Sequence, residues 1–242
     1  MSPWGDTKKT EESPQERDAR VSQMIRERSK APVSPICLAI YGHDGTCKSA
    51  ACLDVRTPEE IEQHKQVFVI DIDASAAPLH EAYWNKDPDI TIFDPNEIDI
   101  ETGDIDWLGT YDNVKDVARY LRLHEHEMNL KAVVIDGLDT FFKCCEHRMR
   151  LKDLKISSTA RPDSMFAWGI RNAYFLNVIK LIKGMRCDRL FTTHMRPEKG
   201  WETHADGSRT LVIKSWDPYW ESTTPNLLSQ KLHVERIEEG KI

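Results

Sequence analysis

The stretch that decides the fold is "AIYGHDGTCKSAACL", residues 39–53. An apolar run leads into Gly42, and a helix-forming run begins at Lys48, so the stretch predicts a strand, a tight loop and a helix. The loop nearly fits the pattern G-x-x-x-x-G-K-[ST], in which backbone N–H groups and a helix start surround a phosphate. Gly42, Lys48 and Ser49 match, but Cys47 stands where the pattern has glycine. The sequence therefore predicts a phosphate-binding loop with one altered position.

Each residue type in such a loop has its own task. Lys48 would reach the outer phosphates, and the hydroxyl of Ser49 would bind Mg²⁺. The predicted nucleotide-binding residues are Gly42, Asp44, Gly45, Thr46, Cys47, Lys48 and Ser49. The alternative is an ordinary strand–turn–helix with a surface lysine.

The rest of the chain alternates apolar runs with helical patterns, which predicts a mostly parallel α/β sheet flanked by helices. Strands are predicted at residues 36–41, 65–73, 89–95, 130–142 and 188–197, and helices at residues 111–129 and 164–185. A hairpin with its turn at Asp206–Gly207 and a last strand within residues 231–242 follow. In such sheets, ligands bind at the carboxyl ends of the strands.

Three predicted strand ends carry residues suited to a phosphate site. Asp136 could hold Mg²⁺ opposite Ser49, or could be a turn or helix-cap aspartate. Either Asp71 or Asp73 could orient a water as a general base, or both could be a solvated acidic strand end. His194 could contact a γ-phosphate and report it to a neighbouring subunit or to DNA, or could be a structural histidine.

The composition narrows the class of protein. The 242 residues carry a formal net charge of −7, which gives no global basic footprint for nucleic acid, although a local patch stays open. The chain has no apolar run of membrane-spanning length, no signal-peptide core and no C-x-x-C pair. We therefore expect a cytoplasmic protein without membrane contact. Residues 1–34 are predicted to be a flexible polar arm with a helix within 16–30, and residues 35–242 to be the domain.

These motifs together resemble those of RecA-like P-loop ATPases, especially the nucleotide-binding proteins of phages and archaeal viruses of the single-strand annealing type. The segments that carry the resemblance are "GHDGTCKS", "FVIDID", "VVIDGLDTFF" and "LFTTHMRP". The resemblance implies a RecA-like fold, with a C-terminal β-hairpin and strands, that binds ATP or ADP with Mg²⁺. It implies catalytic roles for Lys48, Asp73, Asp136 and His194, and a metal held by Ser49 and Asp136, although the family usually has glutamate in place of Asp73. It also implies a homo-oligomer, single-stranded DNA as a candidate partner and a viral origin.

Cys47 bears on how well such a site works. A side chain in a strained loop conformation costs about 1–3 kcal/mol, which corresponds to a loss of affinity of roughly ten- to a hundredfold. Three outcomes are open. The loop is wider and still binds ATP, it binds nucleotide weakly and hydrolyses it slowly, or the site is vestigial. Because Lys48, Ser49, Asp136 and the acidic strand end are all retained, we predict binding that is weakened but not lost.

Three functions compete at this point. The first is an ATPase of viral or phage-type DNA recombination, annealing or replication. The second is a non-catalytic P-loop module that serves assembly or structure, and the third is a P-loop kinase that uses arginines such as Arg148, Arg150 and Arg161. Arg196 could serve a neighbour's phosphates or be a surface residue. The aromatic residues Trp216, Tyr219 and Trp220 could stack on bases or belong to the core or a subunit interface.

Overall fold

The computed structural model describes residues 13–29, 35–204 and 208–236. Contacts divide the chain into two units, Met1–Ser34 and Pro35–Ile242. The described part of the first unit is one helix, α1 (Pro14–Ser29). Ser13 caps this helix, because its hydroxyl accepts the backbone N–H of Glu16 while the Glu16 carboxylate accepts the N–H of Ser13. A helix was expected here, and the rest of the predicted arm lies outside the described residues.

The second unit alternates strands and helices. The strands are β1 (Cys37–Gly42), β2 (Gln66–Asp71), β3 (Ile90–Phe93), β4 (Leu130–Asp136), β5 (Asp188–Thr203), β6 (Arg209–Pro218) and β7 (Gln230–His233). The helices are α2 (Lys48–Leu53), α3 (Pro58–Glu62), α4 (Ala76–Tyr83), α5 (Trp107–His124), α6 (Leu138–Arg148) and α7 (Met165–Lys183). None of the helices in the described ranges combines the length and apolar character needed to cross a lipid bilayer.

The central sheet has the order β3-β2-β4-β5-β1-β7, and all neighbours on this path are parallel. Among the named strands of the described residues, β6 alone is antiparallel, on the outer part of β5. From β1 the chain continues to β2 on one side of β1, whereas from β5 it continues through β6 to β7 on the other side. Such a reversal of direction opens a crevice at the carboxyl ends of these strands. The register aligns Gly42 with His194 and Asp71 with Asp136. The predicted RecA-like α/β fold is confirmed, and its candidate residues meet at one edge of the sheet.

Strand β4 is apolar throughout because both faces of the sheet are covered. Val133 and Ile135 point into a cluster that includes residues of α5, α6 and α7. Ala132 and Val134 point into a second cluster that includes residues of α2 and α4. The sheet is therefore a middle layer, and the ends of its strands are the place where polar groups can gather.

The predicted strand at residues 130–142 is wrong in its second half. Strand β4 ends at Asp136, and Gly137 turns the backbone with φ 94°, in the left-handed region that favours glycine. The apolar residues that follow, Leu138, Phe141 and Phe142, are buried as part of helix α6. A short apolar run does not distinguish a buried strand from a buried helix, and here the glycine marked the boundary.

Strand β5 was predicted to stop at Pro197, but it continues to Thr203. Pro197 lies opposite Trp216 in the two-stranded hairpin of β5 and β6, where an edge strand tolerates a residue without N–H. The predicted hairpin is confirmed by this antiparallel pairing, and its turn, residues 205–207, lies outside the described residues. One strand thus runs from the middle of the sheet into the hairpin.

Candidate functional site

A cavity of about 870 Å³ opens at the carboxyl ends of β1, β2 and β4, beside the point where β5 leaves its pairing with β1. Its lining includes every loop position from Asp44 to Ser49, together with Asp73 and His194. Gly42 and Asp136 are buried behind that lining. All the predicted site residues are therefore in or directly behind one cavity.

The loop between β1 and α2 is tightly closed. A Cβ at Gly42 would clash with the backbone oxygen of Val234 and lie 2.8 Å from Oγ1 of Thr46, so only glycine fits there. Oγ1 of Thr46 donates a hydrogen bond of 2.8 Å to the carbonyl oxygen of His43. Gly45 has a φ of 72°, which again favours glycine. These contacts fix the path of the loop around the entrance of the cavity.

Cys47 takes the backbone conformation for which the motif uses glycine. Its φ and ψ are 61° and 28°, in the left-handed region, where a side chain costs roughly 1–2 kcal/mol. The thiol is exposed, and Cys47 gives α2 no side-chain cap. The loop therefore contains a strained residue whose side chain reaches solvent.

Lys48 places a cation at the inner end of the loop. The residue is only 6% exposed, and its Nζ donates a hydrogen bond of 2.9 Å to the carbonyl oxygen of His43. Burial lowers the pKa of Lys48, and nearby carboxylates oppose that shift. The carboxylates are those of Asp44, Asp139, Asp136 and Asp73. A polyanion needs more positive charge than one lysine to enter a cavity with so many acids.

One side of the cavity is built from hydroxyl groups around a single acid. Oγ of Ser49 donates to Oδ1 of Asp136 at 3.0 Å, and the hydroxyl of Thr192 donates to the same oxygen. Oγ of Ser75 lies 2.8 Å from both Oδ2 of Asp136 and Oγ of Ser49. We call Ser49, Ser75, Asp136 and Thr192 the hydroxyl side. Hydroxyl and carboxylate oxygens are the ligands that Mg²⁺ prefers, so these residues fit that ion.

Asp71 and Asp73, the two candidate general bases, have different surroundings. The Asp71 carboxylate accepts the backbone N–H groups of Ser75, Ala76 and Ala77 at 2.9, 2.9 and 3.2 Å, and so caps α4. Asp73 lines the cavity instead. Burial raises the pKa of both carboxyls, but only Asp73 is placed to reach a ligand.

A second part of the cavity contains a histidine among three acids. Nδ1 of His194 lies 3.2 Å from Oδ1 of Asp139 and 3.7 Å from Oδ2 of Asp73, while its Nε2 lies 3.2 Å from Oδ1 of Asp44. Asp139 also accepts the backbone N–H of His194 at 3.2 Å, and Thr140 donates to Asp73 at 2.5 Å. We call Asp44, Asp73, Asp139 and His194 the histidine side. Asp139 therefore holds the orientation of the imidazole ring through Nδ1 and the backbone N–H of His194.

Asp139 and His194 shift each other's pKa, so that the carboxylate and the charged imidazole favour each other. The hydrogen bond that His194 donates to the Asp139 carboxylate raises the pKa of His194 despite partial burial and the nearby Lys48. Burial alone would raise the pKa of the Asp139 carboxyl, but the hydrogen bonds from His194 and the charge of His194 lower the pKa of Asp139 below its usual value. In the described part of the chain, one ligand atom each of Asp73, Asp139 and His194 fall within 4.8 Å of one another. Because His194 binds Asp139 directly, we interpret this group as an ion pair and not as a metal centre.

Sequence reasoning missed Asp139, Ser75 and Thr192. Asp139 was hidden inside a predicted strand, and only the glycine before it signals the start of a helix. Ser75 lies beyond a predicted strand end in a segment without periodicity. Thr192 precedes His194 by two residues in the same strand, so both side chains lie on one face, and that spacing was the available signal.

The predicted aromatic cluster divides into separate roles. Trp220 is buried and packs edge-on against Tyr41 at 6.3 Å, so it belongs to the core. Trp216 is exposed and lies edge-on to His43 of the loop, with 4.5 Å between ring centres. Tyr219 lines the cavity, and Arg196 stacks over its ring at 5.1 Å.

Two of the three arginines considered for a kinase lid are bound elsewhere. Arg148 is buried, stacks over Tyr111 at 4.4 Å and pairs with Asp112 at 3.0 Å. Arg150 pairs with Glu146 at 2.5 Å. These contacts hold both arginines in the layer of α5 and α6, away from the cavity lining.

The strand order, the phosphate loop and the acid behind it define a P-loop ATPase domain. Residues 34–237 match the family model described as AAA domain, and the chain belongs to that family. Among solved structures, it is similar to a KaiC-like protein from the hyperthermophilic archaeon Pyrococcus horikoshii, with 14% identity over 76% of this chain and 85% of that chain and a TM-score of 0.40. No curated protein matches the sequence.

Proposed function

We propose that this protein binds Mg-ATP in the cavity and hydrolyses it, and that it works in DNA recombination, annealing or replication of the viral or phage type. The contact of 3.0 Å between Ser49 and Asp136 carries the proposal. That contact joins the hydroxyl after the loop lysine to the acid at the end of β4, which is the pairing that a magnesium–nucleotide site needs.

The residues of the cavity divide the chemistry among them. Lys48 binds the outer phosphates, and bound Mg²⁺ supplies the further positive charge that the acidic cavity requires. Asp73 accepts a proton from a water whose oxygen attacks the γ-phosphorus, and the bond to the bridging oxygen breaks with its electron pair leaving on ADP. His194 contacts the γ-phosphate through Nε2, since its Nδ1 faces Asp139. In this contact the phosphate replaces the exposed carboxylate of Asp44, which lies 3.2 Å from Nε2.

The expected partners are further copies of this chain and single-stranded DNA. Support comes from the hairpin that continues β5 beyond the cavity. The pairs Trp201 with Leu211 and Lys199 with Ile213 lie on one face of this hairpin, and Trp201 is 62% exposed. Exposed aromatic rings beside lysine suit stacked bases and a phosphate backbone.

A non-catalytic P-loop module is the second candidate, and the strained Cys47 is the observation that favours it. Such a module would use the loop for assembly and would not turn over ATP. A kinase has less support, because Arg148 and Arg150 are engaged in the helical layer.

Calorimetric titration and phosphate release distinguish these candidates. We expect Mg-ATP and a non-hydrolysable analogue to bind the full chain, and single-stranded DNA to accelerate phosphate release. Trp201→Ala is expected to remove that acceleration and to leave basal hydrolysis unchanged. Binding of ATP without phosphate release, with or without DNA, would favour the non-catalytic module, and absence of binding would refute the proposed function.

A further inference from the structure

Ser75 stands at the N-cap position of α4, but its hydroxyl does not cap the helix. The carboxylate of Asp71 accepts the first N–H groups of α4 instead, including that of Ser75 itself. The hydroxyl of Ser75 is therefore not needed by the helix and points to the hydroxyl side of the cavity. A serine at a helix start normally uses its side chain for the cap, so this arrangement calls for another explanation.

The hydrogen atoms around Asp136 do not suffice for all the contacts. Ser49 donates to Oδ1 and Ser75 donates to Oδ2 of this carboxylate. Each hydroxyl has only one hydrogen, so two hydrogens serve three contacts: the two with Asp136 and the contact of 2.8 Å between Oγ of Ser49 and Oγ of Ser75, in which either atom could be the donor. When both hydroxyls donate to Asp136, their oxygens face each other with lone pairs, an arrangement that a cation between them would stabilise.

The spacing of these two oxygens fits one particular cation. Magnesium binds oxygen octahedrally at about 2.0–2.1 Å, so two adjacent ligands lie roughly 2.8–3.0 Å apart. The oxygens of Ser49 and Ser75 are 2.8 Å apart. We propose that Ser75 is a second hydroxyl ligand of the nucleotide-bound Mg²⁺, adjacent to Ser49 in the octahedron, with both hydroxyls donating to Asp136. This inference rests on the proposed magnesium–nucleotide function of the cavity.

The test uses Mn²⁺ as a spectroscopic probe with the full chain and saturating ADP. Electron paramagnetic resonance gives the affinity for Mn²⁺, and line broadening in ¹⁷O-enriched water gives the number of bound waters. Ser75→Ala is expected to weaken Mn²⁺ binding about tenfold and to add one bound water, as Ser49→Ala does. Ser75→Thr retains the hydroxyl and is expected to keep the wild-type affinity and water count.

Ser164→Ala is the matched control, because Ser164 caps α7 through Phe166 and lies outside the cavity lining. It is expected to leave Mn²⁺ binding unchanged. ADP affinity without metal should be the same in wild type and Ser75→Ala, which would show that the alanine variant is folded.

The outcomes separate this inference from the function on which it rests. If Ser49→Ala loses Mn²⁺ affinity while Ser75→Ala keeps both the affinity and the water count, Ser75 is not a ligand and only this inference fails. Four or more waters on Mn²⁺ in the wild type with ADP would also overturn it, because two hydroxyls and one phosphate oxygen leave three positions. If the affinity of the wild type for ADP does not depend on Mn²⁺, both this inference and the proposed magnesium–nucleotide function fail.

Discussion

The two sides of the cavity are built on different principles. The hydroxyl side gathers three hydroxyls around Asp136, which is 1% exposed and the only acid among them. The histidine side gathers three acids around His194, whose side chain is 35% exposed, and one of them, Asp44, is almost fully exposed. The first side is therefore suited to hold a cation, whereas the second can change its charge with pH.

The largest effect should come from the histidine side. Asp73→Asn removes the proposed general base, so we expect hydrolysis to fall by roughly 10²–10⁴-fold. Mg-ATP affinity should remain or improve, because one negative charge leaves the cavity. Phosphate release and calorimetry on the same samples measure both quantities.

Asp71→Asn is the control for that substitution. Asp71 caps α4, so its loss should lower the free energy of unfolding by about 1–2 kcal/mol and change turnover less than Asp73→Asn does. Equal losses of turnover in the two folded variants would show that Asp73 has no special role.

The next effect tests Lys48, the cation that interacts with acids of both sides. Lys48→Ala removes the buried ammonium and leaves four carboxylates without it, so Mg-ATP affinity should fall about a hundredfold. Lys143→Ala is the matched control, since Lys143 also lines the cavity but is half exposed. A Lys48→Ala variant that binds ATP like the wild type would place the phosphates elsewhere.

A smaller effect should follow the pH. The pKa of His194 is raised, so the imidazole is charged at and below its ordinary pKa of about 6.5 and becomes neutral only as the pH rises through the higher folded value. ATP affinity should therefore be highest at the acidic end and fall by up to about tenfold as the pH rises through that value, with a weaker trend for ADP.

The same titration affects folding. The stabilisation from His194 is fully present below the unfolded pKa and is lost as the pH rises through the folded pKa. Asp139→Asn should move the pH at which ATP affinity falls, and the pH at which folding stability falls, to lower values. Calorimetry follows the first and thermal unfolding over a pH series follows the second. A pH profile of ATP affinity that does not respond to Asp139→Asn would remove the proposed link between the two residues.

The smallest effect concerns the loop itself. Cys47→Gly should raise the free energy of unfolding by about 1 kcal/mol, because glycine takes the left-handed conformation without strain. Because Cys47 holds this conformation in the folded protein, the strain lowers the free energy of unfolding more than it lowers affinity. ATP affinity should therefore rise several-fold at most, less than the roughly ten- to hundredfold effect expected from the sequence. Cys47→Ala is the control that keeps the Cβ and removes the thiol, and it should behave like the wild type in both measurements. If alanine matched glycine, the thiol and not the backbone would be the cause.

The sequence predicted the parts of the cavity that a strand end or a loop motif encodes. Ser49 and Asp136 could be predicted because apolar runs lead to them or to the loop before them, and His194 because it ends the sheet portion of β5. Ser75 and Asp139 could not, because each lies beyond a strand end, where tertiary contacts decide which way a side chain points. The same limit explains why β4 was predicted too long and β5 too short, since burial on both faces and pairing in a hairpin are tertiary facts.

Strand β5 has a mechanical consequence. Its residues Thr192, His194 and Met195 line the cavity. Its end at Thr203 lies nine positions beyond His194, so roughly 30 Å of strand separates these two residues. A tilt of about 5° at the inner end would displace the outer end by about 2.6 Å over that length. The bulge between Glu198 and Lys199 is the interruption in this pairing. A small movement of β5 at the cavity would therefore become a larger movement of the hairpin at the surface.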